Sequence, residues 1–160
     1  MDRSTRNLSI TTLLMLNLML AADAADQITR RSDRSVLRGE FTAMTTASVK
    51  IKQVNGQEVE VPVSDIFNVA FDMQPSTLTQ AQSNERSGAL DAAMEKLTTV
   101  QKEYGGDDKR LVDDIKFLIA RTKVKSALAN PAVVADAQKA ITDFRTQYKA
   151  NFRYFEATLL

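Results

Sequence analysis

Two apolar stripes run along residues 107–130. Leu111, Ile115, Leu118 and Thr122 recur at helical spacing on one face. Phe117, Ala120, Val124, Ala127 and Leu128 fall roughly opposite on a wheel of about 100° per residue. Charges lie between them: Asp114, Arg121 and Lys125 on one seam, Lys116 and Lys123 on the other. A helix at a domain edge needs one stripe, so two predict a helix clamped between neighbours. Asp107 or Asp108 caps its start, and Asn130-Pro131 ends it with Pro131 opening the next helix.

The flanking segments are striped too. Thr77 with Gln80 fits a capping box, and a helical pattern runs over residues 78–103, interrupted at 83–88. Leu90, Ala93, Met94, Leu97, Val100 and Tyr104 form its apolar face before Gly105-Gly106 ends it. Val134, Ala137, Ile141, Phe144 and Tyr148 stripe the segment after Pro131. Ala150-Asn151 breaks it, and residues 152–160 begin one more helix with Phe155 and Leu159 on one side.

Residues 26–72 change to a strand period. Strands are expected at 27–31 and 36–44, joined by a turn at Ser32-Asp33-Arg34, with Gly39 marking a bulge or sharp bend. Val49 and Ile51 then alternate with Lys50 and Lys52; after Val54-Asn55-Gly56, Val59, Val61 and Val63 alternate with Glu58 and Glu60. A two-residue Asn-Gly loop would pair Ile51 with Glu60 and mix the faces. A three-residue loop with Gly56 left-handed pairs Ile51 with Val59 and Val49 with Val61 inside. It also pairs Lys52 with Glu58 and Lys50 with Glu60 outside. Only the second register sorts both faces. Pro62, lacking a donor, belongs at a strand end or edge. Ser64-Asp65-Ile66 reads as a helical turn and 68–71 as a last strand, with Val69 and Phe71 inward.

At the start of the chain, Arg3 and Arg6 precede an uncharged run from Leu8 to Leu20. Ala22-Asp23-Ala24 then fits an A-x-A cleavage pattern, with cleavage before Ala25. Residues 1–24 therefore read as a signal helix, a secretory signal peptide rather than an uncleaved anchor, since a comfortable span takes about 20 apolar residues. No Cys stands at the cleavage site, which excludes a lipoprotein. The expected organisation is a signal peptide at 1–24, a β-part at 25–73 and a helical part at 74–160, hinged at Met73-Gln74-Pro75-Ser76. The mature protein is expected in the periplasm or outside the cell, with no stable membrane insertion.

The chain has no Cys and no His, which excludes disulfides, thiolate or imidazole catalysis and an ordinary structural zinc site. A net charge of +1 argues against a partner chosen by bulk electrostatics. Asp107, Asp108, Asp113 and Asp114 cluster but lack the alternation of a calcium loop, and read as a capped helix start. Arg30, Arg31, Arg34 and Arg38 gather on the first hairpin, yet residues 26–72 hold seven acids to six bases, so no nucleic-acid partner is expected. No glycine-rich phosphate loop, G-x-S-x-G or metal triad occurs, and no catalytic, cofactor-binding or metal-ligating residue is assigned. Phe152, Phe155, Leu159 and Leu160 are the candidate partner-binding residues. They form an apolar run read as an edge that receives a partner or a second copy, or as a helix folded back on the second stripe of 107–130.

Five short strands with a helical turn before the last resemble the small barrel shared by SH3-like and Sm-like domains. Gly88-Ala89-Leu90-x-x-Ala93 resembles the signature of a tetratricopeptide repeat, and Ala140-x-x-x-Phe144-x-x-x-Tyr148 is similar to the second helix of the next. Leu90 stands where that repeat carries an aromatic residue. Ala93 and Ala140 lie 47 positions apart against a period of about 34. The whole arrangement resembles a bacterial family of exported proteins with a small β-barrel-like part and tetratricopeptide-like helical repeats. The resemblance implies protein–protein interaction and no known catalysis. The expected fold is α+β: a signal helix, a five-stranded SH3/Sm-like small barrel and a tetratricopeptide-like (TPR-like) stack of helical hairpins. The expected function is that of a scaffold binding another protein on exposed parts of 90–103 and 131–148. The alternatives are a hydrolase-type enzyme with a cleft between the two parts, and an Sm-like nucleic-acid binder.

Overall fold

In the computed structural model, which describes residues 25–160, the alternating run folds as the sorted register requires. Strands β3 (Ser48–Gln53) and β4 (Glu58–Pro62) pair Ile51 with Val59, Val49 with Val61, Lys50 with Glu60 and Lys52 with Glu58. Gly56 has φ +84° and donates its N–H to the Gln53 carbonyl at 2.8 Å, closing the turn in a conformation that glycine adopts without steric cost. Lys50 lies 3.9 Å from Glu58 and 3.8 Å from Glu60.

Strands β1 (Asp26–Arg30), β2 (Val36–Met44) and β5 (Ile66–Ala70) complete an antiparallel sheet in the order β4-β3-β2-β1-β5. The small-barrel expectation is corrected here. No ladder joins β4 to β5, so the sheet is open. The physical reason lies on its inner face. Ile28, Phe41, Val49, Ile51, Val61 and Val69 share one apolar cluster with Leu78, Ala81, Leu111, Ile115, Phe152 and Ala157. Helices bury the face that a barrel would bury by closing on itself. The expected signal helix at 1–24 lies outside the described residues. Gly39 is needed for a different reason than expected: a Cβ there would meet the Lys52 carbonyl oxygen at 2.0 Å, whereas the bulge sits between Phe41 and Ala43.

The helices follow as α1 (Ser76–Arg86), α2 (Leu90–Glu103), α3 (Lys109–Ala129), α4 (Val134–Gln147) and the short α5 (Tyr154–Thr158). Each of α1 to α4 packs on its successor, so α3 is clamped between α2 and α4. Asp108 caps α3, accepting from the Arg110 N–H at 2.9 Å. The capping box expected at Thr77 does not form. Helix α1 starts two residues earlier, after Pro75, and Gln74 bridges the Phe71 N–H and the Thr79 hydroxyl. The interruption expected at 83–88 shrinks to the turn around Gly88 (φ +82°), because buried Glu85 finds cationic partners and the polar stretch stays helical.

Sheet and helices are stapled by Asp26. One buried oxygen accepts from the Asp72 N–H at 2.9 Å. The other accepts from the Phe41 N–H at 2.9 Å and from Arg110 of α3 at 3.1 Å.

Candidate interaction groove

Helix α3 serves two different surroundings because its two charged seams face different neighbours. On the seam of Asp114, Arg121 and Lys125, an ionic network is largely buried: Glu85, Asp114 and Arg153 are buried, and Lys125 and Glu156 lie at its rim. Arg121 donates to both oxygens of Glu85 on α1, at 2.8 and 2.6 Å, and to Glu156 on α5 at 2.7 Å. Lys125 adds a contact to Glu85 at 3.2 Å. Arg153, itself buried, donates to Asp114 at 2.7 Å and to Glu156 at 3.1 Å. The two guanidinium groups lie 5.2 and 5.1 Å from the Phe117 ring centre, within cation–π range. Three carboxylates thus face three cations. Burial alone would push the Glu85 carboxyl up, but the bonds and charges of Arg121 and Lys125 outweigh it and hold it below the usual range. Glu156 behaves alike: burial raises it, and the charges of Arg153 and Arg121 bring it lower. Asp114 is fully buried and its second oxygen takes no partner among the described residues, so Arg153 is the one side chain bonded to that carboxyl.

The opposite seam opens to solvent. A groove of about 520 Å³ lies there. Helix α2 supplies Leu90, Asp91 and Met94 to one wall; Val133 and Asp136 form the other. Lys123, Ser126 and Ala129 of α3 make the floor. Lys123 crosses to Asp136 at 2.8 Å, while Asp91 takes no ion-pair partner among the described residues. The lining mixes apolar and polar side chains with a small acidic excess, and it lies at the N-terminal ends of the two segments named from the sequence.

The sequence candidates scatter. Phe152 is only 4% exposed and belongs to the core under the Arg153 guanidinium, so it is not a surface residue. Phe155, Leu159 and Leu160 are 45%, 72% and 44% exposed and line no part of the groove. The aspartate cluster disperses: Asp108 caps, Asp113 meets Lys109 at 3.0 Å and Asp114 is buried with Arg153. Among the described residues no three acidic side chains gather as a cation site, and no helix is long and apolar enough to cross a membrane. The arginine cluster disperses as well: Arg30 bonds Asp65 at 2.8 Å, Arg31 the Ile66 carbonyl at 3.2 Å, and Arg34 lies over Phe67. Between sheet and helices, a shallow space of about 590 Å³ holds Asp26, Glu40, Asp72, Lys52 and Arg110. Both oxygens of Asp26 are taken there by structural donors.

Glu85, Arg153, Glu156 and Asp136 were not among the residues the sequence singled out. The one available signal was the seam itself, since Asp114, Arg121 and Lys125 share a face that apolar stripes border on both sides. No protein-family model, curated protein or solved structure matches the chain.

Proposed function

We propose that the protein is an exported, non-catalytic scaffold whose α2–α3–α4 groove holds a segment of another protein. The observation that carries this reading is the groove's lining: apolar wall residues Leu90, Met94 and Val133, with Asp91 beside them taking no ion-pair partner among the described residues. Such a lining suits a segment that inserts an apolar side chain and sets a basic residue against Asp91. The rigid floor supports it, because the ionic network fixes α3 from behind and leaves the groove side of the helix free. The A-x-A pattern before Ala25 supports export.

The absence of cysteine from the sequence makes a direct test simple. A photo-crosslinker on Ser126→Cys, in the groove floor, is compared with one on Lys139→Cys, on the exposed side of α4. Both proteins are mixed with envelope extract, and the captured species is identified, purified and titrated back. The expected result is one discrete protein captured from position 126 and not from 139, whose purified form binds and is displaced by Ser126→Trp. Identical capture at both positions, or binding unchanged by Ser126→Trp, contradicts the reading.

A further inference from the structure

We infer that the open edge of β4 accepts an additional strand, extended and basic, from another polypeptide. Which backbone groups face outward is fixed by two bonds: Gln53 N–H to Gln57 carbonyl at 2.8 Å, and Val63 N–H to Ala47 carbonyl at 2.9 Å. In an antiparallel ladder the residues that exchange bonds alternate, so 57, 59, 61 and 63 face β3 and 58, 60 and 62 face away. The N–H and carbonyl groups of Glu58 and Glu60 therefore point out of the sheet, and they take no hydrogen-bond partner among the described residues. Pro62 stands in the same outward phase, where its missing N–H removes no ladder bond and marks one end of the strip. The opposite edge is occupied: Gln82 reaches the Val69 carbonyl at 3.5 Å and Arg31 the Ile66 carbonyl.

The charge pattern selects the occupant. On the outer face, Glu40 pairs with Lys52 and Lys52 with Glu58, an alternation of sign from β2 to β4. In the neighbouring row Lys50 pairs with Glu60. Both rows end on a carboxylate at the open edge, so the next strand completes them only with cations opposite Glu58 and Glu60. Neither carboxylate is used up. The Lys50 ammonium lies beyond hydrogen-bond length from both, and the remaining contacts are the hydroxyls of Thr42 and Ser48. On the inner face Val59 and Val63 are only partly buried at the rim of the core, so the alternate positions of the incoming strand are apolar. Two copies of β4 would set Glu58 and Glu60 against their own kind, which disfavours self-pairing relative to a basic strand. The ligand is thus a strand alternating basic and apolar residues, bound by main-chain hydrogen bonds and read by charge.

The test is an amide NMR titration of the purified protein with a short capped peptide alternating lysine and valine, and with its glutamate–valine counterpart. The lysine peptide is expected to shift the Glu58 and Glu60 amides and slow their exchange, with affinity falling as salt is raised. The glutamate peptide is expected to bind about tenfold more weakly, since two facing pairs change sign. In Glu58→Lys/Glu60→Lys the preference reverses. Unmoved Glu58 and Glu60 amides, equal binding of both peptides to the wild-type protein, or shifts confined to the helical groove would overturn the inference. The two wild-type titrations decide it even where the double variant fails to fold.

Discussion

On one flank of α3, Arg121 lies inside the protein between Glu85 and Glu156; on the other, two residues further along, Lys123 crosses an open groove to Asp136. Both are cations at short distance from carboxylates, and their energetic roles are opposite. Arg121, Glu85, Arg153 and Asp114 have been largely taken out of water, so each of these needs its partner, whereas Lys125 and Glu156 keep contact with solvent at the rim. Lys123 and Asp136 remain hydrated, so their pairing is close to neutral and a ligand can rearrange it. The same helix is thus anchored from behind by a closed charge network and free in front, which is the arrangement a rigid binding surface requires.

The sharpest way to break the contrast is Arg153→Met, which leaves the buried Asp114 carboxyl without its one partner. Urea unfolding is expected to show a loss of about 3–5 kcal/mol. Glu85→Gln is next: it keeps a hydrogen-bond acceptor for Arg121 but removes the charge facing Arg121 and Lys125, with an expected loss of about 2 kcal/mol in the same measurement. The pH dependence follows from the lowered carboxyls. A folded pKa below the unfolded one gives stability that is present above the usual carboxyl value of 4.5 and is lost as pH falls through the folded pKa. Thermal melts are therefore expected to be level from neutral pH to about 5 and to decline below about 4.5, and less steeply in Glu85→Gln. On the open flank, Lys123→Ala is expected to change stability by no more than about 0.5 kcal/mol in urea unfolding. The smallest effect is expected from Lys50→Gln on the sheet surface, a few tenths of a kcal/mol.

The same contrast separates what could be read from the chain alone. The β3–β4 register was legible because both determinants are local: alternation over a dozen residues and a turn that needs Gly56 left-handed. The seam of Asp114, Arg121 and Lys125 was legible as a line on a helical wheel. Its partners were not, since Glu85 lies 36 residues from Arg121, and Arg153 lies 39 from Asp114. Nothing in spacing brings such pairs together. Phe152 read as a surface anchor because an aromatic near a chain end looks the same whether its backbone turns inward or outward. Here Arg153 turns inward to Asp114 and brings Phe152 with it. Leu128 failed in the other direction: its position continues the second stripe, yet in the last turn of α3 it is 86% exposed. Barrel closure was likewise beyond local pattern, because inner-face alternation is identical whether β5 or a helix covers it.

The central claim is that the groove in front of α3 holds a protein segment while the network behind it does not move. Hydrogen exchange of the protein, alone and with the partner captured at position 126, tests it most directly. The account predicts added protection at residues 90–94 and 126–136, with the amides around Arg121 and Arg153 unchanged. Protection confined to Phe155, Leu159 and Leu160, or loosening of the Arg121–Glu85 contact on binding, would contradict it.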